Sequence, residues 1–302
     1  MTLGATSDSG FRSQPLEVQV DGLTLSGRIA RPAGDASRGL ILALHGGSFT
    51  SAYFDSPRQS QMQIAAQLGY SIIALDRPGY GMATTAASGL HSQAQVLVRA
   101  VSTLSHRYVL PGAGIFLYGH SIGGMIALLM TNIEEDVPFV GINMTGSGAL
   151  PQRGQEAKAA VASMPSTHLE IPPDLRRNIM MGPDWTFDAE IGAFSADRDV
   201  PLPLAENKEV PGWAERLPAV ARLCTVAVQF IVAEYDSLWR ADEESLNVAH
   251  NLFPAAPFIE VGRQRMAGHC VELHRLGIGH LLRVLAFAEE CFLTHEHEAA
   301  ST

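Results

Sequence analysis

A serine lies between two glycines in the string GHSIG (residues 119–123), directly after the apolar run IFLY. Glycines at both positions permit a sharp turn, because side chains there would clash with neighbouring elements. A serine on a turn from a strand into a helix is accessible to substrate, and the positive end of the helix dipole lies beside it. The pattern predicts that Ser121 is a nucleophile, although the same residue types also make ordinary loops.

A serine hydroxyl is a weak nucleophile, so it needs a base, and the base needs an acid that orients it. On this kind of turn the partners follow along the chain in the order acid, then histidine. Glu234 and Asp236 follow the strand-like run TVAVQFIVA, and His269 follows the run APFIEV and a short loop. We favour Asp236 over Glu234 because Asp236 falls in the loop, where the acid is needed. His269 is the predicted base.

Acyl transfer also needs two backbone N–H groups that stabilise the negative charge developing on the substrate oxygen. We expect one of them from Ile122, the residue after the nucleophile. The other should come from the string HGGS, which follows the buried run GLILAL. Gly47 is our choice for this donor, with Ser48 as the alternative. His45 in the same string is expected to hold the loop in place.

Alternating strand and helix patterns predict the elements that position these residues. The run LEVQVDGLTLSGRIARP alternates apolar and polar residues around Asp21 and Gly22, which predicts a β-hairpin. Continuous apolar runs such as LILAL predict strands that are buried on both faces. A helix is expected from Ser56 to Leu68. The alternation predicts a mainly parallel sheet covered by helices, with the active site at the carboxyl ends of the strands.

Residues 147–222 interrupt this pattern. They hold nine of the 17 prolines and two of the three tryptophans, and they lack strand patterns. A loop of this length without structure of its own is uncommon, so we predict a helical lid inserted in a core of residues 1–146 and 223–302. Residues 1–15 are predicted to be a mobile tail.

The predicted lid contains the string NIMMGPDWTF, whose methionines and aromatic residues could line an apolar pocket or simply form the core of the lid. We predict a pocket for a medium-sized apolar acyl or alkyl group. Its predicted lining residues are Ser48, His120, Met181, Trp185 and Trp239.

Composition limits the partners and the cellular compartment. The net charge of −10 argues against nucleic acids and anionic membranes, because both are bound by basic surfaces. The three cysteines are far apart and lack metal-ligand spacing, so we expect reduced thiols and no metal. We also expect no cofactor. With no secretory signal or membrane-spanning run in this sequence, we expect a cytoplasmic protein. The expected partner is a small-molecule substrate, and a homodimer remains open.

The motifs together resemble the α/β-hydrolase superfamily, in its serine-nucleophile, lid-containing branch. They cover about residues 16–292 in the order of that family: LHGGS (44–48), LDRPGYG (75–81), GHSIGG (119–124), AEYD (233–236) and GH (268–269). The resemblance implies a mostly parallel eight-stranded sheet, flanked by helices, with a lid between the sixth and seventh strands. It also implies that DRPGYG is a structural loop that shapes the pocket wall, to which we assign no chemistry.

A serine at the nucleophile position disfavours the epoxide hydrolases and dehalogenases of this fold, which are known for an aspartate there. It implies acyl transfer instead. We therefore predict a hydrolase that cleaves a carboxylic ester or thioester of a small to medium apolar molecule through an acyl-enzyme. The alternatives are related serine-triad reactions, namely carbon–carbon bond hydrolysis, cyclising acyl release or aminopeptidase-like cleavage, and a non-catalytic binding protein on the same fold.

Overall fold

The computed structural model describes residues 12–34, 37–86, 88–109, 113–152, 168–169, 172–197 and 200–301. Its centre is an eight-stranded sheet with the strand order β1-β2-β4-β3-β5-β6-β7-β8. The strands are β1 (Gln14–Val20), β2 (Leu23–Ala30), β3 (Leu40–Leu44), β4 (Ser71–Leu75), β5 (Ile115–His120), β6 (Phe139–Thr145), β7 (Ala227–Ala233) and β8 (Ile259–Gln264). Strand β2 is antiparallel to β1 and β4, and the other neighbours are parallel. The predicted mostly parallel, eight-stranded sheet flanked by helices is confirmed.

The turn between β1 and β2 explains the antiparallel edge of the sheet. Asp21 and Gly22 both have positive φ angles, 51° and 77°. A two-residue turn with two positive φ angles matches the twist of a hairpin, and Asp-Gly adopts it readily. The predicted hairpin is therefore confirmed, with Val20 paired to Leu23.

Helices cover both faces of the sheet. The α-helices in the described residues are α1 (Gln61–Gln67), α2 (Leu90–Tyr108), α3 (Ile122–Met130), α4 (Pro173–Met180), α5 (Ala189–Asp197), α6 (Leu204–Glu209), α7 (Trp213–Ala221), α8 (Glu243–His250) and α9 (Gly277–Ala300). In β3, Leu42 packs into the core with α2 and α3, whereas its neighbours Ile41 and Ala43 pack into the core with α1 and α9. This two-sided burial is why the strand is apolar throughout.

Helix α1 is shorter than the sequence predicted, because it begins at Gln61 and not at Ser56. Arg58 has a φ of 64°, which is outside the range of a right-handed helix. The side chain of Ser60 then accepts a hydrogen bond from the Gln63 N–H at 3.1 Å and caps the first turn.

The predicted lid falls between β6 and β7, which are the sixth and seventh strands of the sheet. Its described parts contain α4 to α7 and a two-residue antiparallel ladder of His168–Leu169 with Leu202–Pro203. We call residues 147–222 the insertion; their boundaries as a separate domain remain a prediction.

The predicted mobile tail, residues 1–15, falls mostly outside the part of the chain that the structure describes. Most of the predicted tail, residues 1–11, lies outside the described residues, and Gln14 already belongs to β1. In the ranges that the structure describes, no helix has both the length and the apolarity needed to cross a bilayer.

Candidate active site

Ser121 lies on a sharp turn between β5 and α3. Its backbone has φ 52° and ψ −119°, and it immediately precedes the first helical residue, Ile122. A non-glycine residue with positive φ is strained and persists only where its surroundings hold it. Two contacts do so: the Ser121 N–H donates to the Thr145 carbonyl at 2.7 Å, and the Ser147 hydroxyl donates to the Ser121 carbonyl at 2.6 Å.

The two flanking glycines are needed because the turn is packed against backbone on both sides. A Cβ atom on Gly119 would lie 2.6 Å from the nitrogen of Gly124. One on Gly123 would lie 2.6 Å from the carbonyl carbon of Leu44 at the end of β3. Real Cβ atoms do not approach other atoms this closely, so the tight packing requires glycine at positions 119 and 123.

A continuous hydrogen-bonded path joins the serine, a histidine and an aspartate. His269 Nε2 lies 2.9 Å from Ser121 Oγ, and His269 Nδ1 lies 2.9 Å from Asp236 Oδ2. The other oxygen of Asp236, Oδ1, accepts from the backbone N–H groups of Leu238 at 2.8 Å and Trp239 at 3.2 Å. All three side chains are buried, and Ser121 retains 8% exposure.

Only one of the two acids considered from the sequence reaches the histidine. Glu234 Oε2 instead accepts a hydrogen bond from the Met266 N–H at 2.8 Å, on a partly exposed surface. The structure therefore brings Asp236, and not Glu234, together with His269 and Ser121.

The charge of Asp236 sets the protonation behaviour of His269. Burial by itself lowers the pKa of His269, because it disfavours the charged imidazolium. The adjacent Asp236 carboxylate and its hydrogen bond outweigh burial, so the pKa of His269 is raised above its ordinary value of 6.5. Above that pKa, a ring with its proton on Nδ1 donates to Asp236 and leaves Nε2 free to accept the serine proton.

The loop after β3 lies beside the start of α3. A Cβ atom on Gly47 would come within 2.9 Å of Ile122 Cδ1 and 2.7 Å of Leu202 Cδ1. The N–H of the alternative donor, Ser48, lies 3.4 Å from the Tyr80 hydroxyl. The two predicted N–H donors, Gly47 and Ile122, therefore belong to residues in contact.

His45 contacts its own loop and not the serine. Its Nδ1 lies 2.8 Å from the Gly46 carbonyl oxygen, and its Nε2 accepts from the Arg77 backbone N–H at 3.2 Å. Complete burial lowers the pKa of His45 well below its ordinary value. A neutral ring with its proton on Nδ1 fits both contacts.

The residues predicted to line a pocket are in different environments. Met181 and Trp239 are buried, and Trp239 packs so closely on Gly148 that a Cβ atom there would lie 2.6 Å from the Trp239 ring. Trp185 is 50% exposed and lies edge-to-face against Tyr235. Their role in binding remains a prediction.

His120, also predicted for the pocket, is completely buried and lies next to His269. Its ring stacks on Tyr53 at 4.6 Å and lies edge-to-face with His269 at 5.2 Å. The carboxylate of Glu272 lies 3.2 Å from His120 Nδ1 and accepts from the Tyr53 hydroxyl at 2.6 Å. Burial lowers the pKa of His120. Sequence reasoning missed Glu272, because nothing local distinguishes it from a surface glutamate.

Within the described ranges, no group of three or more His, Cys, Asp or Glu side chains is arranged to hold a metal ion. Cys224, Cys270 and Cys291 are buried and form no disulfide.

Comparison with known proteins shows the family of this chain. The model of the alpha/beta hydrolase family matches residues 41–278, so this chain belongs to that family. No curated protein matches the sequence significantly.

Solved structures similar to this chain include esterases and a lipase. A highly thermostable carboxyl esterase from Bacillus coagulans has 16% identity and a TM-score of 0.68, over 94% of this chain and 98% of its own. A lipase in its open form has 17% identity and a TM-score of 0.67, over 93% and 99%. A putative aryl esterase from Burkholderia cenocepacia has 15% identity and a TM-score of 0.66, over 92% and 99%. At these identities the likeness establishes the fold.

Proposed function

We propose that this protein is a serine hydrolase that cleaves a carboxylic ester or thioester of a small to medium apolar molecule through an acyl-enzyme. The observation that carries the proposal is the path of two 2.9 Å contacts from Ser121 through His269 to Asp236. Its order and spacing meet the requirement of a nucleophile, a base and an orienting acid. Membership of the alpha/beta hydrolase family supports hydrolysis in general.

In the proposed reaction, Ser121 Oγ attacks the acyl carbon while His269 Nε2 takes the hydroxyl proton. Asp236 keeps the other ring proton on Nδ1 and stabilises the imidazolium. The N–H groups of Gly47 and Ile122 stabilise the negative charge on the substrate oxygen. His269 then gives its proton to the departing alcohol or thiol, which leaves an acyl-enzyme. Water, activated by the same histidine, releases the acid and restores Ser121.

An apolar substrate is supported by the residues that lie next to the proposed oxyanion donors. Leu202, from the insertion, and Ile122 both pack against Gly47. An acyl or alkyl group entering here would replace water against aliphatic side chains, which is favourable by about 25 cal/mol per Å² of apolar surface buried. Charged substituents would lose their hydration in the same place.

The direct test is hydrolysis of p-nitrophenyl esters graded from acetate to laurate, with wild type beside Ser121→Ala. Ser102→Ala serves as the matched control, because Ser102 lies on α2, which does not contribute to the triad arrangement. We expect turnover and fluorophosphonate labelling in wild type and in Ser102→Ala, and loss of both in Ser121→Ala. The preferred chain length would measure the apolar pocket.

Two other outcomes would change the proposal. Labelling of Ser121 without turnover of any simple ester would favour the related serine reactions, carbon–carbon bond hydrolysis, cyclising acyl release or aminopeptidase-like cleavage. An absence of both turnover and labelling in correctly folded wild type would contradict a serine hydrolase and favour a binding role.

A further inference from the structure

A completely buried arginine holds the loop that carries the proposed oxyanion donor. Arg77, in the DRPGYG string after β4, uses all five N–H groups of its guanidinium. Its Nε–H donates to the His45 carbonyl at 2.9 Å, and one Nη2–H donates to the Gly46 carbonyl at 3.2 Å. The other three N–H groups donate to side chains: Nη1 to Gln93 Oε1 at 2.7 Å and to Glu206 Oε1 at 2.6 Å, and Nη2 to Glu206 Oε2 at 3.2 Å.

The counterion comes from the insertion. Glu206 lies on α6 and is completely buried, as is Arg77. Besides the two-point pair with Arg77, its carboxylate accepts from the Tyr80 hydroxyl at 2.9 Å and from Gln93 Nε2 at 2.7 Å. A buried guanidinium requires a paired charge, because desolvation without one is very costly. The geometry of Arg77 therefore depends on the carboxylate that the insertion supplies.

The contact with Gly46 fixes the direction of a neighbouring N–H group. The carbonyl of Gly46 and the N–H of Gly47 belong to one planar trans peptide unit, so they point in opposite directions. The Gly46 carbonyl is bound by Arg77 and by His45 Nδ1 at 2.8 Å, and Arg77 also holds the His45 carbonyl. Together these contacts turn the Gly47 N–H away from Arg77. The Ser48 N–H, the alternative donor, instead donates to the Tyr80 hydroxyl at 3.4 Å. Gly47 is therefore favoured over Ser48 as the donor to the substrate oxygen.

We propose that Arg77 and Glu206 are positioning residues, which orient the Gly47 N–H toward the oxygen that becomes negative during acyl transfer. This inference rests on the proposed serine hydrolase function. It gives the DRPGYG string and the insertion a shared role, which is to orient a backbone donor of the proposed active site. Loss of the Glu206 charge lets the Arg77 guanidinium reorient, and the loop then loses the fixed direction of its donor.

The test compares an oxoester with its thionoester, for example p-nitrophenyl butyrate and O-p-nitrophenyl thionobutyrate. Sulfur is larger than oxygen and a weaker hydrogen-bond acceptor, so oriented N–H donors accelerate the oxoester more than the thionoester. In Glu206→Gln we expect kcat for the oxoester to fall by about 10-fold or more, since loss of a complete donor costs about 10²–10³-fold. KM and the turnover of the thionoester should change little. The ratio of the oxoester rate to the thionoester rate therefore falls.

Glu209→Gln is the matched control. Glu209 lies on the same helix, pairs with Arg216 at 2.6 Å and accepts from the Leu90 N–H at 3.2 Å. It thus joins the insertion to the core without touching residues 45–48. Its rate ratio should equal that of wild type. An equal fall in both variants would assign the effect to a loosened insertion and overturn the proposal.

A second variant keeps the test decisive if Glu206→Gln fails to fold. In the double variant Arg77→Met with Glu206→Leu, apolar side chains replace both charges, a change that buried ion pairs often tolerate. We expect a folded protein with a reduced rate ratio and faster amide exchange in residues 45–48. A folded double variant with the wild-type ratio and wild-type exchange would overturn the positioning role. Wild type without ester turnover or Ser121 labelling would contradict the proposed function instead, and amide exchange would still report whether Arg77 and Glu206 hold the loop.

Discussion

Replacement of Gly123 by alanine would test whether the nucleophile turn needs its close contact with β3. The new Cβ atom would lie 2.7 Å from the His45 carbonyl oxygen and 2.6 Å from the Leu44 carbonyl carbon, with the Leu44 oxygen closer still. Ordinary van der Waals contact begins at 3.4 Å. His45 O must therefore move by about 0.7 Å, and Leu44 O by more, before an alanine fits.

This movement is costly because the obstructing atoms belong to the backbone at the end of a central strand and of the residue that follows it. Strand β3 is paired with β4 on one side and with β5 on the other, so it cannot shift alone. Overpacking of this kind costs about 1–3 kcal/mol of unfolding free energy, and we expect the upper end of that range. The shift also moves Ser121 relative to the HGGS loop, and a misplacement of about 1 Å can reduce the rate about 10²-fold.

The assay combines urea unfolding with kcat/KM for p-nitrophenyl butyrate, and Gly279→Ala is the matched control. A Cβ atom on Gly279 meets nothing within 4 Å, and the residue lies inside α9. Alanine is favoured over glycine in a helix by about 1 kcal/mol, so this variant should be stabilised with unchanged activity. The same substitution thus has opposite effects at the two positions. A Gly123→Ala protein within about 0.5 kcal/mol of wild type and with full activity would refute the packing argument.

Two further predictions concern the base and the first helix. In wild type, kcat/KM should fall as the pH decreases through the raised pKa of His269, above 6.5, because the protonated ring cannot accept the serine proton. Asp236→Asn removes the charge that raises this pKa, so the acid limb should move to lower pH while kcat falls by about 10⁴-fold. A pH–rate profile with an unmoved limb would contradict this cause. Ser60→Ala removes the cap of α1 and should cost about 1 kcal/mol in urea unfolding, with activity retained. An unchanged unfolding midpoint would show that the cap is not needed.

Local sequence was sufficient for the features that depend on neighbouring residues. The Asp21-Gly22 hairpin followed from the φ angles that those residues tolerate, and the buried strands followed from their apolar runs. The mainly parallel sheet followed from the alternation of such runs with helices, the resemblance to the family implied its eight strands, and both expectations are confirmed. The turn at Ser121 was also predictable, because glycines at positions 119 and 123 leave room for the backbone that packs against both sides of the turn.

Contacts between distant segments required the tertiary structure. Glu234 and Asp236 are both carboxylates past the same strand, and only the path of the loop brings Asp236 to within 2.9 Å of His269. The predicted helix from Ser56 begins only at Gln61, because the backbone at Arg58 has a positive φ angle.

The pair of Arg77 and Glu206 is the clearest case. The two residues are 129 positions apart in the chain, and each resembles an ordinary surface charge when the sequence is read alone. Their burial depends on how the insertion packs on the loops at the carboxyl ends of the strands, and that packing has no local signal. A few neighbouring residues are thus enough to predict the nucleophile. The orientation of the groups around it depends on chain segments that meet only after folding.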